Sequence, residues 1–178
     1  MSLTDIKKLR DITSLGINDC KKALIESKGN FQKALDILKQ RGIAMQAKKS
    51  SRATSQGLIE SYIHFGGGLG VLVEVNCETD FVARTDVFKK FAKDVAMQVA
   101  AASPIYLKKE DIPKETLKNL DKSDEYIRQN CLLEQSFIKD NKMTMEKYLQ
   151  SVISQSGENI VIRRFVKFTV GEENENEA

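Results

Sequence analysis

The stretch Val75-Asn76-Cys77-Glu78-Thr79-Asp80-Phe81-Val82-Ala83 decides how the larger part of this chain is read. The apolar run Val71-Leu72-Val73 ahead of it has strand character, and a helical pattern opens near Thr85. An acid and a large aromatic side chain therefore stand together at a strand-to-helix corner. Small polar residues are the rule at such places, because connections run over the surface. Phe81 permits two readings. It turns inward and caps the core, the common fate of Phe, or it points outward as an anchor for a partner protein, with Asp80 placed to disturb a charged group there.

Working outward, Leu58 to Phe65 and Val71 to Cys77 read as paired strands joined by Gly66-Gly67-Gly68-Leu69-Gly70, a hairpin connection. These glycines do not form a phosphate loop, which requires a following Lys-Ser/Thr and a helix. Downstream, Phe88, Phe91, Ala92, Val95, Ala96 and Val99 recur at helical spacing, and Pro104 marks the end of that helix. Ile105 to Asn130 is polar and irregular, with short helices expected after Pro113 and Ser123. A last helix is expected over 144–156, with Met145, Leu149, Val152 and Ile153 inward and Gly157 as terminator. A final strand over 159–170 places Ile160, Ile162, Val166, Phe168 and Val170 on one face.

Upstream, residues 1–42 read as three short helices. Ser2 or Thr4 caps the first, with Ile6, Leu9 and Ile12 on one side. Asn18 caps the second, and Ile17, Cys20, Ala23, Leu24 and Ser27 follow its periodicity to Gly29. Asn30 caps the third, whose stripe is Phe31, Ala34, Leu35 and Leu38, with Gly42 as its end. Residues 43–57 read as a linker, 58–171 as an α+β unit of three antiparallel strands with helices on one face, and 172–178 as a disordered acidic tail.

The blocks Leu9-Arg10, Thr13 and Gly16-Ile17-Asn18-Asp19-Cys20-Lys21-Lys22-Ala23-Leu24 resemble the elongation factor Ts family, the nucleotide exchange factors of elongation factor Tu. The corner at Thr79-Asp80-Phe81-Val82 matches a second signature. Glu134-Gln135 with Phe137-Ile138-Lys139-Asp140 matches a third, and Gly157-Glu158-Asn159-Ile160 leading into Arg163-Arg164-Phe165 a fourth. The resemblance runs in order from about Leu3 to Gly171. It implies a ubiquitin-associated-like N-terminal bundle and a partner, elongation factor Tu, that holds the nucleotide and magnesium. Thr79, Asp80, Phe81 and Val82 would wedge beside that magnesium site. Arg10, Ile17, Asn18 and Lys21 match positions that touch the partner's nucleotide-binding domain. At position 18 the family often has Met, so Asn18 suits a cap better than an apolar contact. Longer members carry a second core half and a coiled coil. This chain resembles the short form, which dimerises, and the face of residues 160–170 either pairs two copies or completes its own sheet.

Composition bounds the alternatives. The chain has 178 residues, 41% hydrophobic and 30% charged, with a net charge of +3, too mild a balance for a dedicated nucleic-acid surface. The basic cluster Lys48, Lys49 and Arg52 reads as solvated linker, since no aromatic residue interleaves it. No apolar run approaches the roughly 18 residues of a membrane span, and the N-terminus lacks signal-peptide features. Cys20, Cys77 and Cys131 are scattered, which argues against a metal or redox site and suits reduced thiols in a cytoplasmic protein. No cofactor and no catalytic residues are expected; His64 has no accompanying nucleophile or acid motif. Two rivals remain: a ubiquitin-associated module fused to an RNA-handling domain, which gives Asp80-Phe81 no role, and a thiol enzyme built on Cys77, for which no activating group is evident.

Overall fold

A computed structural model describes residues 2–13, 15–49, 51–118 and 123–172 of the chain. The first three helices are α1 (Leu3–Thr13), α2 (Ile17–Glu26) and α3 (Phe31–Lys49). Ser2 caps α1, its hydroxyl accepting from the Thr4 amide at 3.2 Å, and Asn30 caps α3, its side chain accepting from the Lys33 amide at 3.0 Å. Asn18 is not a cap. Helix α2 starts at Ile17 after Gly16, with no side-chain cap bond, so Asn18 already lies in the first turn. Lys28 and Gly29 take positive φ values of 53° and 83° and turn the chain from α2 into α3. Leu9, Cys20, Ala23, Leu24, Ala34 and Leu38 form the centre of this small core. Ile12 was expected there but is exposed, and Leu15 is buried instead. The α1 stripe drifts around the helix because three residues fall short of a full turn, and the connection after Thr13 folds Leu15 inward. Gly42 does not end α3, which continues to Lys49. A single Gly costs a helix only about 1 kcal/mol, and the alanines, glutamine and lysines that follow are good helix formers.

Next in chain order are β1 (Gln56–Ile63), β2 (Leu69–Cys77), α4 (Asp80–Ala83), α5 (Asp86–Ala102), α6 (Lys114–Lys118), α7 (Ser123–Asn130), β3 (Ser136–Phe137), β4 (Asp140–Thr144), α8 (Met145–Ser156) and β5 (Ile160–Thr169). Strands β1, β2 and β5 form one antiparallel sheet in that spatial order. Val71, Val73, Val75 and Cys77 alternate onto its inner face and meet Phe88, Phe91, Val95 and Val99 of α5 and Met145, Val152 and Ile153 of α8. The chain is thus α+β, with the helices on one side of a three-stranded antiparallel sheet. Thr85 starts α5 by accepting from the Phe88 amide at 3.3 Å, and Thr144 starts α8 by accepting from the Lys147 amide at 3.3 Å. Ser103, at φ 44°, stops α5 before Pro104, and Gly157, at φ 80°, stops α8.

Strand β5 departs from simple alternation. Its pairing with β2 shifts register between Glu74 and Val75, which face Arg164 and Ile162, leaving Arg163 as the extra residue of a bulge. Ile160 and Ile162 point into the core, and beyond the bulge it is Phe165 that packs there. Val166, Phe168 and Val170, expected on the same face as Ile160, are exposed instead. One inserted residue reverses the facing of everything after it.

The β3–β4 hairpin was not anticipated. Lys139 at its turn reaches Asp94 on α5 at 2.5 Å, and Tyr148 of α8 donates to the same carboxylate at 2.8 Å. Asp94 is only 2% exposed, and these two donors satisfy its two buried oxygens. Burial and the Asp94 carboxylate both push the Tyr148 hydroxyl above the usual phenol range. Phe137 stacks on Tyr148 at 4.6 Å, locking the hairpin onto α8.

Candidate partner-binding site

The corner after β2 is assembled from behind. Thr79, in extended backbone at φ −127°, is the N-cap of α4, and its hydroxyl accepts from the Val82 amide at 3.4 Å. The same hydroxyl donates to Glu158 Oε1 at 2.6 Å. Glu158 Oε2 accepts the amides of Thr79 at 3.0 Å and Glu78 at 3.2 Å. The Glu78 carboxylate in return accepts the Asn159 amide at 2.6 Å, and the Asn159 side chain donates to the Arg52 carbonyl at 3.0 Å. Two adjacent turns, Glu78-Thr79 and Glu158-Asn159, are thus clasped by carboxylates pointing in opposite directions. Gly57, opposite Asn76, completes the base: a Cβ there would lie 2.2 Å from the Val75 carbonyl oxygen, so only glycine lets β1 approach this closely.

With its base fixed, α4 has two sides. Val82 and Ala83 pack against the core. Phe81 points the other way and is 80% exposed, so the core-cap reading does not describe it. Asp80 sits beside it and pairs with Arg84 one turn on, at 2.8 Å. Both are well exposed, and such a pair contributes at most about 1 kcal/mol. The carboxylate is therefore available to another cation at small cost. A bare aromatic ring on a rigid corner with an exchangeable acid beside it has the composition of an interface anchor.

The family model described as Elongation factor TS matches residues 8–123. The chain is 51% identical to elongation factor Ts of Methylacidiphilum infernorum, over 99% of this chain and 98% of the relative. It is 45% identical to elongation factor Ts of Caldanaerobacter subterraneus subsp. tengcongensis, over 97% of this chain and 98% of that one. With Carboxydothermus hydrogenoformans elongation factor Ts the identity is 45%, over 94% of this chain and 88% of the relative. The chain belongs to the elongation factor Ts family.

The N-terminal residues singled out for their likeness to the elongation factor Ts family are all exposed. Arg10 is in the last turn of α1, and Ile17, Asn18 and Lys21 are in the first turns of α2. Ile17 and Lys21, four apart, share a helix face, and Ile17 leaves half its surface open to solvent. They lie in the helical unit, whereas Thr79 to Val82 lie in the sheet unit.

Cys77 is buried and donates to the Thr79 carbonyl at 3.1 Å, and burial, with Glu158 adding to it, pushes the thiol up. A thiol so placed is a poor nucleophile, which removes the thiol-enzyme rival. His64 Nδ1 lies 3.2 Å from the Tyr62 hydroxyl at the end of β1. Among the described residues no group of His, Cys, Asp and Glu is placed to hold a metal, and no helix is long and apolar enough to cross a membrane. Glu78, Glu158 and Asn159 were missed as site residues. Glu158 and Asn159 stand in a recognised signature, but nothing in the spacing joins them to Thr79, which lies about eighty positions away.

Proposed function

We propose that this chain is a translation elongation factor that binds elongation factor Tu and promotes release of its GDP, making and breaking no covalent bond itself. The observation that carries the reading is the outward Phe81 on a corner fastened from behind, in a chain of the elongation factor Ts family. Phe81 enters an apolar pocket of the partner beside its magnesium site. Thr79 and Val82 hold the backbone that presents it, and Asp80 exchanges Arg84 for groups that order the magnesium. Loss of the metal removes a charge clamp from the phosphates, and GDP leaves.

Reciprocity sets the energetics. The factor weakens GDP only as far as GDP weakens the factor, and each decade needs about 1.4 kcal/mol of differential contact. A buried Phe contributes on the order of 2 kcal/mol, or one to two decades, so a second contact surface is required. Arg10, Ile17, Asn18 and Lys21 supply it from the helical unit. With a matched elongation factor Tu carrying fluorescent GDP, substoichiometric amounts of this chain are expected to speed GDP release many-fold without hydrolysing GTP. Unchanged release at a saturating concentration of the chain would sink the reading.

The chain acts as a homodimer in this reading, and the outer face of the sheet supports it. Ile59 and Ile63 of β1, Leu72 of β2, and Val166 and Phe168 of β5 are all exposed there. The pairing puts Leu72 opposite Val166, and Phe168 opposite Gly70 with Ile63 beyond it, while Ile59 stands opposite Glu74, whose 2.7 Å pair with Arg164 borders this apolar patch. Such a patch on a small protein marks an interface, and two copies face to face bury it as a sandwich. Light scattering of the wild type is expected to give twice the 20.0 kDa chain mass, and Phe168→Asp to return it to the single mass with an unchanged circular dichroism spectrum. A wild type that scatters as a single chain at tens of micromolar, with full exchange activity, contradicts the dimer.

A further inference from the structure

We infer that Glu158 is a positioning residue of the exchange corner: it touches no partner and acts by holding Thr79, and through it Phe81, in the presenting conformation. The inference rests on the exchange reading above and assigns a role to the Gly157-Glu158-Asn159 signature. One carboxylate receives the Thr79 hydroxyl on one oxygen and the Glu78 and Thr79 amides on the other. The hydroxyl bond carries the effect. At 2.6 Å it commits the Thr79 proton to Glu158, which turns the remaining lone pairs toward the Val82 amide that Thr79 caps. Helix α4 has four residues and cannot hold itself, so its orientation is inherited from this cap. Without the proton acceptor, Thr79 rotates freely, the cap is lost part of the time, and Phe81 samples directions other than outward. Glu158 itself is half-buried against the end of β2, bonded to the Glu78 and Thr79 amides, while Phe81 is open to solvent.

Glutamine is the informative replacement. Glu158→Gln keeps the size and one acceptor oxygen but loses the charge and one of the two acceptors. The free full-length chain is expected to show about tenfold faster hydrogen exchange at the Thr79 and Val82 amides, the loss of one charge-assisted bond, with the β1–β2 amides unchanged. GDP release from elongation factor Tu at saturating chain is expected to fall by a similar factor, with half-saturation changed less. In Phe81→Ala background the same substitution is expected to add nothing, because both act through one side chain. Thr79→Val, which removes the hydroxyl, is expected to show a loss at least as large as that of Glu158→Gln. Corner amides as protected in Glu158→Gln as in the wild type would overturn the inference, as would a loss that multiplies with that of Phe81→Ala. A wild type without effect on GDP release defeats the exchange reading itself, and the two failures are told apart by which of these measurements is silent. Should Glu158→Gln fold poorly, Glu158→Asp is the second variant: it leaves Thr79 intact and draws the carboxylate back by one methylene, and corner amides as protected in it as in the wild type would likewise overturn the inference.

Discussion

Phe81→Ala is expected to slow stimulated GDP release by roughly ten- to a hundredfold, the loss of about 2 to 3 kcal/mol of anchor contact. The melting temperature should hold within about 2 °C, because exposed substitutions change stability by only about 0.5 kcal/mol. The two halves of that forecast come from one fact: the ring is 80% exposed. It contributes little to the fold and has its surface available for a partner. Stopped-flow GDP release and a thermal scan on the same preparation test both. A strong fall in melting temperature with normal exchange by the folded fraction would overturn the assignment of this residue.

Phe91→Ala is the mirror case, ten positions along. Phe91 is completely buried on α5 and meets Tyr148 edge-on at 5.2 Å. Removing it leaves a cavity between the sheet and α8 and is expected to cost about 3 to 5 kcal/mol, which lowers the melting temperature by on the order of 10 °C. The protein that remains folded should exchange GDP at the normal specific rate, since no atom of Phe91 reaches the corner surface. A Phe91→Ala variant that melts like the wild type would mean that the α5–sheet interface closes around the gap, and the packing described here would need revision.

The periodic parts of the fold were legible in the sequence because they obey one local rule at a time. The α5 stripe at Phe88, Phe91, Ala92, Val95 and Val99 is the buried face, and Thr85, Thr144, Asn30 and Gly157 stand where helices begin or end. What escaped depends on partners distant in the chain. The bulge at Arg163 follows from pairing with β2 and inverts the outer half of the strand, with the Arg163-Arg164 interruption of the apolar alternation as its local trace. The β3–β4 hairpin is short and polar and is held by Lys139 reaching back to Asp94, forty-five positions upstream. At the candidate site, the exposed pair Asp80-Phe81 was visible as an anomaly of composition. The clasp behind it was not, because a glutamate in a turn looks the same whether or not a threonine hydroxyl waits for it across the fold.

That clasp also sets when the corner takes shape as the chain is synthesised. Phe81 emerges early, with the β1–β2 hairpin, but Glu158 follows some eighty residues later, together with β5, the strand that completes the sheet. Until then β2 has an open edge and Thr79 has no acceptor, so a nascent chain displays the aromatic residue without the posture that would make it effective. Contacts of such long separation close late because the intervening loop must be ordered first. On the proposed exchange reading, a growing chain cannot hold Phe81 in its working posture before β5 is in place, so closure of the sheet and competence for nucleotide release become the same event.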